Sequence, residues 1–138
     1  ITWSLVGSEM CIRDSHMPLD LIVNWTDQSA TLNHRARAYL DINCGHCHLS
    51  SGSASNTGLY LNYTETNDMN IGIFKKPVAA GRASADLKYS IVPGKPQESI
   101  LLHRMNSLDP GVMMPESGRA LLHSEGVELI NDWIENLQ

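Results

Sequence analysis

Apolar positions recur at helical spacing in three stretches of the chain. In residues 32–43, LNHRARAYLDIN, Leu32, Ala36 and Leu40 fall four apart with Tyr39 beside them, which predicts an amphipathic helix. Thr31 stands where an N-cap belongs. Near the C-terminus, Val127, Ile130, Ile134 and Leu137 form a second stripe, with Ser124 as the expected cap. Glu125 and Glu128 suit that helix's positive N-terminal end, and Trp133 adjoins the stripe as a core residue. Residues 97–106, QESILLHRMN, predict a short helix with Ile100, Leu101, Leu102 and Met105 as its apolar face. Leu59 to Leu61 and Leu87 to Val92 instead read as short strands, separated by a turn region from Pro77 to Arg82. Ser50 to Gly58 is a Gly/Ser/Asn loop, and Pro93-Gly94-Lys95-Pro96 punctuates the chain before the short helix.

Ahead of these elements, residues 16–31 carry an apolar cluster from Leu19 to Val23 and then Trp25, a lead-in segment expected to pack on the domain. Residues 1–15 have no charged region ahead of their apolar stretch and make a poor signal peptide. Their run SLVGSEMCIRDS resembles translated sequencing-adaptor read-through, so 1–15 is read as a non-native or disordered segment. Setting it aside removes Cys11 and leaves two cysteines, Cys44 and Cys47.

Composition narrows the function classes. The chain has 138 residues, which suits one domain. A net charge of −5 gives no basic excess for nucleic acid, and no apolar run is long enough for a transmembrane helix. Aromatic residues make up only 6% of the chain, with a single Phe, so the core needs another source of bulk.

Cys44-Gly45-His46-Cys47-His48 is a C-x-x-C-H sequence, the attachment signature of c-type haem. Two thiols add across the haem vinyl groups, and the next residue's imidazole binds the iron. Given this chain's Cys and His frequencies, chance occurrence is on the order of a few in a thousand. A redox dithiol would sit at a helix start in a βαβ pattern, which is not seen. A zinc site would need a second Cys pair or a distant His. A haem would also supply the bulk that the aromatics do not. On the far side of the iron, Met114 begins an M-P-x-x-G run within Pro110 to Gly118. A following Pro stiffens the backbone that presents the thioether. Met113 is its neighbouring rival, and His123, just before the last helix, is the main nitrogen rival; His34, His46 and His103 are less well placed.

A helix entering C-x-x-C-H, a Met-Pro loop and a C-terminal helix together resemble a class I cytochrome c domain over about residues 32 to 138. More narrowly, RARAYLDINCGHCH, KPVAAGRASADLKYSIVPGKPQESIL, MMPESGR and HSEGVELINDWI resemble a bacterial periplasmic family of c-type cytochromes, some joined to sugar-dehydrogenase-like β-propellers. The resemblance implies a mostly α fold: a cytochrome c-like helical domain wrapped around one covalently attached haem, with a small β-like or loop insertion between the haem motif and the third helix. It implies Cys44 and Cys47 as thioether sites, His48 as proximal and Met114 as distal ligand of the iron, and a periplasmic or envelope location. It departs from the common pattern in having no Pro between Cys47 and Pro77 whose carbonyl would orient His48. Another loop carbonyl must do so.

The expected function is single-electron carriage by outer-sphere transfer to redox protein partners or a dehydrogenase domain, without catalysis. The alternatives are a haem enzyme or a gas- or peroxide-binding domain with an open sixth site, or the electron-exit domain of a larger dehydrogenase. Arg35, Arg37, Arg82, Arg104 and Arg119 are all candidate partners for haem propionates, and sequence does not separate them.

Overall fold

The computed structural model describes residues 22–78 and 80–138. The expectations for residues 1–15, and for Leu19 and Leu21, lie outside the described residues. Among these residues four α-helices follow one another: α1 (Leu32–Leu40), α2 (Asp68–Ile71), α3 (Ile100–Met105) and α4 (Ser124–Glu135). Three 3₁₀ turns, at Ser55–Thr57, Gly81–Ser84 and Pro96–Glu98, lie between them.

α1 starts where its cap predicts, with the Thr31 hydroxyl accepting from the His34 N–H at 3.3 Å. It stops as an α-helix earlier than 43. From Asp41 to Gly45 the chain winds one π-helical turn, so helical backbone runs into the C-x-x-C-H motif itself. Such turns concentrate at functional sites. Asn43 Nδ2 donates to the Tyr39 carbonyl at 2.8 Å, a side-chain bond that occupies a carbonyl at this switch.

α4 crosses α1 closely, and Ala36, Tyr39 and Leu40 pack with Leu129, Ile130, Trp133 and Ile134 in the core. Each large apolar side chain buried there contributes about 1.5–3 kcal/mol. The crossing needs Gly126: a Cβ there would lie 2.1 Å from the Tyr39 hydroxyl oxygen. Trp133 is a core residue as expected, and its indole N–H donates to Asn33 Oδ1 at 2.9 Å. The α4 stripe is turned from its predicted position. Ile130 and Ile134 are buried, but Val127 and Leu137 are only half-buried, while Gly126, Leu129 and Trp133 face inward. Ser124 does not cap the helix. The Val127 N–H already bonds the His123 carbonyl at 3.0 Å, so His123 is the N-cap and Ser124 lies within the first turn, donating to Glu125.

The expected helix over 97–106 is divided at Ser99, which is fully buried and extended. Its hydroxyl donates to the Lys95 carbonyl and accepts from the Val92 N–H, a pair of bonds that holds this residue out of the helix. The predicted strands are single bridges, Ile73 with Ile91 and Tyr89 with Ser99, and Leu59 to Leu61 pairs with no strand. Leu61 instead donates to the His48 carbonyl at 2.8 Å and Tyr60 to that of Asn70, so this segment ties the haem motif to α2. The lead-in packs on the domain from Trp25 onward. Its ring meets those of Tyr39 and His123 edge-on, and its carbonyl accepts from Arg35 Nε at 2.8 Å.

Candidate functional site

The C-x-x-C-H residues form a continuation of α1. The N–H groups of Cys47 and His48 both bond the Cys44 carbonyl, at 3.1 and 2.9 Å. Gly45 is buried, and a Cβ on it would lie 3.1 Å from Asp41 Oδ1 and 3.4 Å from Asn62 Cα. Asp41 Oδ1 in turn accepts from the Tyr63 N–H at 2.8 Å. Arg37, buried on the same helix, donates to the carbonyls of Asn62 and Glu65. α1 therefore grips the 62–65 loop that returns past the motif. The Gly/Ser/Asn loop folds back on the motif directly: Ala54 donates to the Cys47 carbonyl at 3.0 Å, and a Cβ on Gly52 would lie 2.2 Å from that oxygen.

Cys44 and Cys47 are free thiols, not a disulfide. Burial pushes the Cys44 thiol up to about 12, with Cys47 adding to the effect, so it is protonated at neutral pH. A dithiol oxidoreductase needs the reverse, a thiolate stabilised near neutrality. Among the described residues, His, Cys, Asp and Glu side chains nowhere gather in threes as a metal cluster.

Burial lowers the pKa of His48, which keeps the imidazole neutral, the form that binds a metal; the Leu59 backbone acts in the opposite sense. To a lesser degree Arg104 of α3 lowers it further and Glu116 of the Met loop raises it, both electrostatically. His48 Nδ1 is buried and has no partner at hydrogen-bond geometry. No carbonyl among the described residues thus takes the orienting part at His48 Nδ1.

Met114 comes near the motif at Cys44. It lines a cavity of about 220 Å³ together with Cys44, Asn43, Met105, Arg119 and His123. Cys47, His48 and Met113 are not among the residues lining it. The Met loop is held from α3. The Arg104 carbonyl accepts from the Met114 N–H at 3.1 Å, and Arg104 Nε donates to the Val112 carbonyl at 2.9 Å. Arg119, five residues on, donates to the carbonyls of Met105 and Ser107. These two arginines were indistinguishable from the other three in sequence. A basic residue bonding a carbonyl eight or more positions away leaves no periodic signal.

His123 also lines the cavity, and its Nδ1 is engaged. Nδ1 is 2.9 Å from the Tyr39 hydroxyl and Nε2 is 3.7 Å from the Glu125 carboxylate. His123 stacks on Tyr39, and burial pushes the Tyr39 phenol up to about 12. His46 and His34 are exposed, and His103 is half-buried on α3.

Of the four residues expected to hold a c-type haem, the cavity brings together the Cys44 thiol and the Met114 thioether, while Cys47 and His48 lie outside it and the nitrogen that His48 leaves without a partner is Nδ1. The volume is smaller than the roughly 300 Å³ at which pockets for sizeable ligands begin. A larger group therefore requires the Met loop to move outward. From Glu116 to Leu122 that loop is exposed except at Arg119, so little packing opposes the movement. Among the described residues, no helix is long and apolar enough to cross a membrane. Comparisons with protein-family models, with curated proteins and with solved structures give no match.

Proposed function

We propose that this chain is a monohaem c-type cytochrome that carries single electrons. The observation that carries the reading is the meeting of Cys44 and Met114, seventy positions apart in sequence, on the walls of one cavity. In this reading Cys44 and Cys47 would hold the haem through thioether bonds, and His48 and Met114 would bind its iron. When bound, the haem supplies reversible one-electron chemistry at iron. The chain's own part is to fix the ligands and exclude water. The turn through Cys44 to His48 is clamped by Gly52 and the Asp41–Tyr63 bond, and the Met114 backbone is clamped by Arg104. With His48 and Met114 both bound to it, the iron would offer no substrate site, and the role would be carriage, not catalysis.

Met114 is favoured over Met113, which lies outside the cavity, and over His123, whose ring nitrogens face Tyr39 and Glu125. Haem attachment of this kind is completed outside the cytoplasm, so the reading includes a periplasmic or envelope setting. Its partners are redox proteins or a dehydrogenase domain. Denaturing mass spectrometry of the chain produced in a periplasm with haem-attachment machinery tests the covalent step. The expected result is a gain of one haem mass, lost when Cys44 and Cys47 are both replaced by Ser. A colourless product carrying two alkylatable thiols would overturn the proposal.

A further inference from the structure

The segment 74–89 differs in charge from the rest of the chain. The protein has a net charge of −5, yet this stretch holds four basic residues and one acid, Asp86. Three of the chain's four lysines, Lys75, Lys76 and Lys88, lie in it. Among the described residues, no carboxylate is within ion-pair distance of these three, whereas Arg82 pairs with Asp109 and Lys95 with Glu98. Lys76 and Lys88 are exposed, and Lys75 is half-buried.

The same stretch shows apolar side chains to solvent. Phe74, the single Phe of the chain, is 52% exposed, and Val78 is 68% exposed. Phe74 sits at φ +50°, a left-handed backbone conformation that is costly for a bulky side chain. The other non-glycine residues with such a φ among the described residues are Ala85 and Asp86, in the same stretch. Neighbouring bonds hold Phe74 in place. Its N–H donates to the Ile91 carbonyl at 2.9 Å, and the Ser90 N–H donates to that of Lys75 at 2.7 Å. The two segments therefore lie side by side, with the Tyr89 ring edge-on to that of Phe74 at 5.7 Å. Strain of this kind persists mainly at binding and switch sites. Here it holds an aromatic ring out among unpaired cations.

We propose that Phe74 and Val78, with Lys75, Lys76 and Lys88, dock this chain on an anionic phospholipid membrane. Inserted apolar side chains and lysines on the headgroups act together, and stable attachment takes two such signals. Tyr89 suits the headgroup level, where an aromatic body with a polar tip belongs. A specific protein contact takes roughly 800 Å² a side. An apolar tip of two side chains, parted by Lys75-Lys76-Pro77, falls short of that, whereas fluid lipid closes around single side chains. The chain's net negative charge does not prevent contact, because salt screens it beyond about 8 Å and the lysines meet the surface first. The patch acts with or without haem, and it suits the envelope setting proposed above.

The test is cosedimentation of the chain with vesicles of phosphatidylglycerol and phosphatidylcholine in equal parts, and with vesicles of phosphatidylcholine alone. Binding to the anionic vesicles only, falling as salt rises, is the expected result. Each lysine near such a surface is worth about fivefold in partitioning, so Lys76→Gln with Lys88→Gln should weaken binding about 25-fold. Phe74→Gly removes the ring at a φ that glycine takes without strain, so it keeps the fold, checked by circular dichroism, and loses binding. Phe74→Trp keeps binding, and brominated acyl chains quench its emission beyond that of the parent. Should Phe74→Gly not fold, the lysine pair and Phe74→Trp decide. Folded variants that bind as tightly as the parent, with no added quenching, would overturn the assignment, as would a parent that leaves both vesicles bare. Capture by poly-L-glutamate without binding to vesicles would overturn it in favour of an acidic protein partner. Haem uptake plays no part in these readouts, so their failure is separate from that of the haem reading.

Discussion

Replacing Gly52 by Ala adds one methyl group to an exposed-looking loop, yet it should disturb the haem motif itself. The new carbon would lie 2.2 Å from the Cys47 carbonyl oxygen, 2.8 Å from the Cys47 carbonyl carbon and 3.2 Å from the His46 oxygen. All three are backbone atoms, so no side-chain rotation relieves the overlap. Either the loop lifts and gives up the Ala54 to Cys47 bond of 3.0 Å, or the motif turn shifts. Overpacking of this kind costs about 1–3 kcal/mol. For a domain of this size a loss of 2 kcal/mol corresponds to a fall in Tm of roughly 6–12 °C. The assay is thermal unfolding by circular dichroism, with Ser53→Ala, at an exposed position of the same loop, as the control. That control should stay within about 0.5 kcal/mol of the parent. The reasoning predicts a destabilised Gly52→Ala and a smaller haem-attached fraction. It is refuted if Gly52→Ala unfolds at the same temperature as Ser53→Ala.

Other expectations follow from the same geometry. Gly126→Ala should separate α1 from α4 and cost about 1–3 kcal/mol, measured by denaturant unfolding; a second change, Tyr39→Leu, should return part of it, and strict additivity of the two would count against the contact. Burial raises the Tyr39 phenol from its usual 10.0 to about 12, with Cys44 a lesser cause. The unfolded chain therefore releases that proton first, and the fold loses stability as pH climbs from about 10 to about 12. Tyr39→Phe should flatten that part of the stability–pH curve, and an unaltered slope would show that the phenol is not buried as described. Arg104→Gln removes the bond to the Val112 carbonyl and should weaken Met114 ligation, read as a partial loss of the charge-transfer band; a full band at neutral pH would contradict the clamp.

The two long helices were legible because each buries one apolar stripe against the other, and periodicity reports such a stripe. Thr31 was legible as a cap because its hydroxyl acts within three residues of its own position. Distant bonds were not. Arg37 of α1 is buried although it lies off the predicted stripe, because it bonds the 62–65 loop that lies over it. Ser99 divides the third helix through bonds to Val92 and Lys95, which no apolar pattern records. Strand-like runs at 59–61 and 87–92 found partners in loops and single bridges instead of a sheet. Of the candidate site residues, Cys44, Cys47 and His48 stand out by local spacing and Met114 by its Met-Pro loop. Arg104, Arg119 and the Tyr39–His123 pair depend on residues brought together only by folding.

The most direct test of the account is the electronic spectrum, extended into the near infrared, of residues 16–138 produced with haem-attachment machinery, first ferric and then ferrous. A low-spin c-type spectrum whose sulfur-to-iron charge-transfer band survives Met113→Ala and disappears in Met114→Ala is the predicted result. A high-spin ferric spectrum that shifts on adding peroxide or carbon monoxide would contradict it, since the sixth position would then be open and the chain would not be a simple carrier.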